Sequence, residues 1–288
     1  PSGTMGNLVS LRLICSPGEE VVSDADAHIV NYEAGGLAAH GGIQSRTIVA
    51  DRGLLSAAML EPQLRSPGYH TVTTTAVAVE QTHNRGGGSV YPLGELTSLR
   101  ALTASHPARL HCDGARIWNA HIATGVGLEQ YGALFDTMSV CLSKGLGAPV
   151  GSLVVMQDAA MADAARDLRH RLGGAMRQAG VLAAAGRYAL KHHVRRLAED
   201  HEHARRLATG VADAVPTAVD PAGVETNIVV LDLADTKIDA AALVSACADE
   251  GVLIAAIAPR RVRLVTHLDV DRDGVDRATD VIRRALTS

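Results

Sequence analysis

Lysine is nearly absent from this sequence. Of 27 basic residues only Lys144, Lys191 and Lys237 are lysines, and arginine carries the rest of the positive charge. Arginine cannot stand in where an amine must lose its proton and act as a nucleophile. A lysine kept among apolar neighbours in such a chain therefore asks for a chemical reason. Cysteine is sparse too. Cys15, Cys112, Cys141 and Cys247 lie far apart and form no CxxC pair. Four reduced, mostly buried thiols in a cytoplasmic protein are expected. No apolar run approaches the ~20 residues that a membrane-crossing helix needs. The longest candidate, Val252 to Ala258, is strand-sized. No basic-then-apolar leader opens the sequence, so no secretory signal is expected. The formal net charge is −4, which offers no basic surplus for a nucleic-acid surface.

What remains is a chain of 288 residues, 47% hydrophobic and 20% charged. That suffices for two packed lobes. A helix is expected to open in Ser2-Gly3-Thr4-Met5-Gly6-Asn7 and to stop near Cys15. Short strands follow at Val21-Val22 and Thr47–Ala50, with helices at Ile29–Ala39 and Leu54–Leu64. The β-branched run Val72–Glu80 reads as a buried strand. Pro92 marks a helix start, and that helix reaches about Ser105. Strands are expected at Arg109–Cys112, Thr137–Leu142 and Leu153–Met156. Strand and helix in alternation predict an α/β architecture with a largely parallel sheet. After Met156 come candidate helices at Ala159–Leu172, Met176–Lys191 and His193–Ala214. The segment Arg195–Arg206 alternates in charge and reads as a solvated helix face. Strands at Asn227–Leu233, Val252–Ala256 and Arg263–Val265, with helices at Ala240–Glu250 and Gly274–Leu286, predict a small α+β lobe. The expected domains are residues 1–192 and 193–288.

In parallel sheets ligands collect beyond the carboxyl ends of the strands. Three expected strands end in reactive side chains: His83, Asp113 and Lys144. An amine among apolar neighbours loses its proton more readily and can then bond an aldehyde carbon. The alternative for Lys144 is a side chain snorkelling from a strand end, a reading that suits Lys191 and Lys237 better. Asp113 is either a carboxylate for a ring nitrogen or a cap of the next helix. Arg116 could pair with a cofactor oxygen or a substrate carboxylate, or lie on the surface. The opening Ser2-Gly3-Thr4-Met5-Gly6-Asn7 could cradle a phosphate on backbone N–H groups at a helix N-terminus. His28 follows a strand and its imidazole could stack on a ring, while His83 follows the longest strand and could act as an acid or base near neutral pH. Gly86-Gly87-Gly88 lacks the Lys-Ser/Thr ending of a nucleotide-binding loop and reads as a flexible loop. His201-Glu202-His203 is not HExxH. With His192 and His193 these histidines read as surface residues, and no metal site is expected.

Seven strings in fixed order carry a resemblance: SGTMGN, DADAHIVNYEAGG, THNRGGG, HCDGARIWNA, CLSKGLGAPVGS, LGGAMRQAGVLAAAG and RLVTHLDV. They run from Ser2 to Val270, and together they resemble the low-specificity L-threonine aldolases, which are fold-type I enzymes dependent on pyridoxal 5′-phosphate (PLP). The resemblance implies a mostly parallel central sheet with helices on both faces and a small α+β C-terminal domain. It implies that Lys144 bonds the cofactor and that Asp113 holds the pyridine nitrogen. Arg116 fixes cofactor or substrate, His28 stacks on the ring, and His83 lies near the substrate hydroxyl. Gly3 and Thr4 hold the phosphate, Arg177 reaches a phosphate across a subunit interface, and Arg263 holds the substrate carboxylate. The implied reaction is retro-aldol cleavage of L-threonine or L-allo-threonine to glycine and acetaldehyde by a homodimer or homotetramer with shared sites. Cleavage of a bulkier phenylserine-like substrate, β-elimination, or an inactive cofactor-binding fragment are the alternatives. Family members carry a segment before SGTMGN, and this sequence begins inside that string. Gln81 stands where the family has Asn before THN.

Overall fold

The structure is a computed structural model that describes residues 1–288. Two compact units divide the chain, Pro1–Val194 and Arg195–Ser288.

The first unit opens with helix α1 (Gly3–Ile14), capped by the Ser2 hydroxyl, which accepts from the Met5 N–H. Strand β1 (Glu20–Asp24), a short helix α2 (His28–Asn31) and strand β2 (Gln44–Ile48) follow. Helix α3 (Ala57–Leu60), β3 (Thr74–Glu80), α4 (Leu93–Ala104) and β4 (Arg109–Gly114) come next. Helices α5 (Ile117–Thr124) and α6 (Leu128–Gly132) lead to β5 (Thr137–Cys141) and β6 (Ser152–Met156). The unit closes with α7 (Met161–Arg171) and α8 (Gly180–His192). Its sheet runs β2-β1-β3-β4-β5-β6, parallel throughout except for β6.

Burial follows from that topology. β1 and β5 are buried at every position, as strands covered on both faces must be. The edge strand β6 instead alternates between half-buried and exposed. The two faces separate with period 2. Val22, Val77, Val79, Leu110, Cys112, Met138 and Val140 join Leu96, Leu99, Ile117 and Phe135 in one core. Val21, Ala76 and Ala78 join Leu8, Leu11, Ile14 and Leu37 in the other. α1 therefore lies on the second face, with small residues beneath it on β3.

In the second unit α9 (Leu197–Ala212), β7 (Ile228–Asp232), α10 (Ala240–Asp249), β8 (Ala255–Ala258), β9 (Arg261–Val265) and α11 (Arg272–Thr287) form an antiparallel sheet of order β7-β9-β8 with three helices. Its core is built by Leu207, Val211, Leu231, Leu243, Val262 and Ile282.

Several expectations need correction. The helix expected over Ile29–Ala39 breaks after Asn31 and resumes as a π-helical turn at Leu37–Gly41. Ala34 and Gly35 adopt left-handed φ values of 51° and 70°, which no helix accommodates. The helix expected over Leu54–Leu64 shrinks to α3 and a single 3₁₀ turn containing Pro62, which supplies no N–H to continue an α-helix. Helices α5 and α6 went unread in the sequence. Gly86-Gly87-Gly88 is a tightly packed turn rather than a flexible loop. A Cβ at Gly86 would collide with the Arg52 carbonyl, and Gly87 and Gly88 hold φ values of 78° and 74°. The charge run on α9 is only partly solvated. Asp200 is fully buried and pairs with Arg196 at 2.6 Å, and His201 is 2% exposed. A one-turn repeat of charges brings every fourth residue round to the core side, whatever its type.

The contact of α1 with β5 depends on glycine. A Cβ at Gly3 would lie 2.9 Å from Cys141 Sγ, and one at Gly6 would overlap Ser139 Oγ. Gly6→Ala should destabilise the chain by about 1–3 kcal/mol, as overpacking of an interior does. The double variant Gly6→Ala/Ser139→Gly should recover most of that loss in urea or thermal unfolding. An unchanged midpoint for Gly6→Ala would show that the contact is slack.

Candidate active site

The strand order places a topological switch point between β1 and β3, where successive crossovers leave in opposite directions. Several buried acids of the first unit stand at that carboxyl edge. Strand β1 ends in Asp24, β3 in Glu80 and β4 in Asp113-Gly114, and Lys144 follows β5 by three residues. Asp24, Glu80 and Asp113 are 4–5% exposed. The backbone N–H of His28 donates to Glu80 Oε2 at 2.8 Å, which bridges the switch point.

A hydrogen-bonded cluster occupies the α1 side of this edge. Because side chains alternate along a strand, Leu110 and Cys112 enter the opposite core while His111 and Asp113 face α1. Asn7, in the second turn of α1, donates through Nδ2 to Asp113 Oδ2 and to Glu33 Oε1, each at 2.8 Å. Glu33 Oε1 also lies 2.9 Å from His28 Nδ1. Asp113 Oδ1 accepts the Ala115 N–H at 3.0 Å, which fixes the carboxylate from its own turn. Ligating atoms of His28, Glu33 and Asp113 all lie within 4.8 Å of one another. Such spacing would suit a cation. Here the Asn7 amide, a donor, occupies the position between the two carboxylates and satisfies both.

Electrostatics follow from burial and these bonds. The hydrogen bond to Glu33 raises the pKa of His28, and the charges of Asp113, Glu33 and Glu80 outweigh the opposing effect of burial. Burial pushes the Glu33 carboxyl up, and nearby Asp113 adds to this, against bonds from His28 and Asn7 that pull it down. His111 is fully buried, which lowers its pKa to about 4, with Asp113 and Thr137 offsetting this only in part.

Lys144 sits in a turn closed by Gly147 N–H to its own carbonyl at 2.8 Å and by Ala148 N–H to Leu142 O at 3.0 Å. It is half-buried, whereas Lys191 and Lys237 are exposed. Trp118 Nε1 donates to Cys141 O at 2.9 Å and ties α5 to the end of β5. Through Gly3 the N-terminus of α1 touches the same Cys141. No acidic residue stands in the first turn of α1, so no carboxylate of its own helix neutralises the positive dipole end there. Arg116 is half-buried between β4 and α5.

Not every expected residue joins this cluster. His83 is fully buried. Its Nδ1 accepts the Gly86 N–H at 3.1 Å and its Nε2 lies 3.2 Å from Asp24 Oδ1. Its ring also packs so closely on Gly53 that a Cβ there would overlap it. Burial alone would lower its pKa, but Asp24 and Glu80 turn the net shift upward. Arg177 lies exposed in the turn before α8. Arg263 lies on β9 of the second unit, beside Val230 and Ala255. Asn7, Glu33, His111, Asp24 and Glu80 were missed as site residues. For His111 a signal existed: it stands two residues before Asp113, so on one strand both face the same way.

The sequence model of the beta-eliminating lyases matches residues 1–235. A probable low-specificity L-threonine aldolase 2 from Arabidopsis thaliana is 40% identical over 93% of this chain and 76% of its own length. The low specificity L-threonine aldolase of Escherichia coli K12 is 40% identical over 95% of this chain and 79% of its own. The chain belongs to the threonine aldolase family. Among solved structures, a threonine aldolase from Leishmania major superposes with a TM-score of 0.86 at 22% identity, covering 99% of this chain and 82% of that one. A serine palmitoyltransferase solved with PLP superposes at 0.72 and 22% identity, covering 99% of this chain and 70% of its own. Both show the fold, which is that of the fold-type I PLP enzymes.

The signs of the pKa shifts give a test. His111 titrates at about 4 in the folded chain against an ordinary 6.5. Between those values the unfolded chain binds the proton and the folded chain does not, so stability falls as pH drops from 6.5 toward 4. His111→Gln should remove a share of that acid loss on the order of 3 kcal/mol. His28 has the opposite sign. Its contribution is present below 6.5 and is lost as pH rises through its raised folded value. Unfolding free energies across this pH range check both. An acid limb of equal depth in wild type and His111→Gln would refute the first.

Proposed function

We propose that this chain binds PLP at the carboxyl edge of its first sheet and cleaves the Cα–Cβ bond of L-threonine or L-allo-threonine, releasing glycine and acetaldehyde. The observation that carries the reading is a juxtaposition. A buried carboxylate ends β4, the only half-buried lysine follows the neighbouring strand β5, and the N-terminus of α1 packs on the end of that same strand.

The residues fit the cofactor. Asp113 is anchored by two donors and keeps lone pairs for a third, which suits a protonated ring nitrogen. The opening of α1 offers backbone N–H groups at Gly3 and Thr4 to a phosphate. When bound, PLP supplies an aldehyde carbon for an amine and an electron-withdrawing ring that takes up the pair left on Cα.

In this reading Lys144 provides the amine that holds the cofactor and gives way to the substrate amine. Asp113 keeps the ring nitrogen protonated. His28 presents its ring to the pyridine. Its Nδ1 is held by Glu33, and Nε2 remains for an external partner. Arg116 and Arg263 are assigned to the cofactor oxygen and the substrate carboxylate, because guanidinium binds carboxylate in a fork. His83 is moved out of proton transfer. Both its nitrogens face groups inside the protein, so its part is to join β1 to the turn that follows β3. The proton of the β-hydroxyl then passes to His28 or to a water it orients. Arg177 is assigned to a phosphate in a second copy, and Met176 beside it with Val181 and Tyr188 on α8 are 48–76% exposed, as a dimer or tetramer contact would be in an isolated chain. No helix is long and apolar enough to cross a membrane, and the reading places the protein in the cytoplasm.

Purified chain mixed with PLP should acquire visible absorbance, and Lys144→Ala should lose it. Acetaldehyde release from threonine, coupled to alcohol dehydrogenase and NADH, should fall by more than about a thousandfold in that variant, as loss of a covalent catalyst does. Aldehyde release from no β-hydroxy amino acid would sink the assignment. His83→Phe separates the two imidazoles. The reading expects its effect in stability and His28→Phe to reduce turnover.

A further inference from the structure

The Asn7 amide sits between two buried carboxylates, and something must stop it from turning round. Its Nδ2 lies 2.8 Å from Glu33 Oε1 and 2.8 Å from Asp113 Oδ2. Two carboxylate oxygens can be satisfied only by a donor, so the NH₂ end faces them. The Oδ1 end then faces His111 Nε2 at 3.2 Å. An amide oxygen only accepts, so Nε2 must carry the hydrogen. His111 Nδ1 is left as an acceptor, and Thr137 Oγ1 lies 3.0 Å from it to donate. Asn7, Glu33, His111, Asp113 and Thr137 are all 5% exposed or less, so water does not substitute for any of these partners.

We propose that His111 is a positioning residue, which as the neutral Nε2–H tautomer pins the Asn7 amide so that both of its hydrogens hold the Glu33 and Asp113 carboxylates. The hydrogen-bonded chain links Thr137 on β5 to His111 on β4 and to Asn7 on α1, and then divides. One branch ends at Asp113. The other passes through Glu33 to His28 Nδ1. The carboxylates fix the direction of the amide, the amide oxygen fixes the hydrogen of His111 on Nε2, and the Thr137 hydroxyl, which can donate or accept, follows. Removing the His111 donor frees the amide to rotate. In the reversed orientation its oxygen meets two carboxylates, and both lose their shared donor in a site that excludes water. That arrangement costs far more than a lost hydrogen bond on the surface. The consequence for cofactor binding rests on the PLP reading given above. An Asp113 without its Asn7 bond is displaced from the ring nitrogen, and a Glu33 without its own no longer fixes the His28 ring. His111 touches neither ligand and acts through both.

The deciding measurement is made on the wild-type chain. On the full ¹⁵N-labelled chain, two-bond proton–nitrogen correlation spectra at neutral pH, assigned by comparison with His111→Gln, should show His111 as neutral with its hydrogen on Nε2, before and after adding PLP. A hydrogen on Nδ1, or on both nitrogens, overturns the proposal. PLP titration then tests the consequence. His111→Leu should weaken cofactor binding by about tenfold or more, the equivalent of one charge-assisted hydrogen bond. His111→Gln, which keeps an N–H at similar reach, should remain within about threefold. Equal affinity in the Leu and Gln variants overturns the positioning role. If His111→Leu does not fold, Asn7→Asp replaces it, because a third carboxylate at this point must also weaken binding. A wild-type chain that binds no PLP would defeat the functional reading. The tautomer would still decide the relay.

Discussion

The arrangement of the first unit depends on how closely α1 approaches β5. Gly3 and Gly6 allow that helix to rest directly on Cys141 and Ser139. At this distance Asn7, one turn further on, reaches across to Asp113 on β4 and Glu33 beyond β1. One helix thus supplies two kinds of polar group at the same sheet edge. Its first turn offers backbone N–H groups and a positive dipole end. Its second turn offers a side-chain amide. A larger residue at either glycine would lift both together, so what looks like a packing detail also governs where the carboxylates are held.

Charge balance around the cluster has a similar economy. Two carboxylates and an imidazole lie with ligating atoms within 4.8 Å of one another. Alone, a pair of buried acids this close would repel, and one would take up a proton. Glu33 leans that way, with its pKa raised by burial and by Asp113. His28 compensates, since its own pKa is raised by the bond to Glu33. The two shifts describe one shared proton between His28 and Glu33, which leaves Asp113 as the acid that meets other partners. Asn7 is neutral and stabilises both oxygens without adding charge, which a lysine or a cation could not do.

Much of this was readable in the sequence where a single period dominates. Buried runs such as Thr74–Glu80 and Thr137–Cys141 announce parallel strands, and Pro92 announces α4. The scarcity of lysine pointed to Lys144, and the structure finds it the only half-buried one of three. The failures lie where tertiary contact overrides local pattern. Residues Ile29–Ala39 carry helix-forming composition, yet the chain must turn at Ala34 and Gly35 to bring Glu33 beneath His28. The position of His83 after a strand suggests a proton-moving role. Only the fold shows Gly53 leaving room for its ring and Asp24 waiting at its far nitrogen. Asn7 and Glu33 belong to quoted strings, but nothing in a linear sequence says that residues 26 apart share one oxygen contact.

The histidines show why residue type alone is a poor guide to role. His28, His83 and His111 all belong to the same unit, near the ends of neighbouring strands, and each has a different electrostatic setting. His111 has no acid bonded to its ring, so burial governs and holds it neutral. His83 is buried as deeply, but it faces Asp24, and the attraction of that charge reverses the shift. His28 keeps a quarter of its side chain exposed and leans on Glu33, which leaves it the one ring with both a charged partner and access to the outside. A neutral ring is suited to fixing the direction of hydrogen bonds, since its two nitrogens have opposite roles and His111 cannot exchange them without breaking its contact to the Asn7 oxygen. A ring with a charged partner and an open side is suited to passing a proton. The division among the three follows from whether an acid stands beside each ring and whether solvent can reach it.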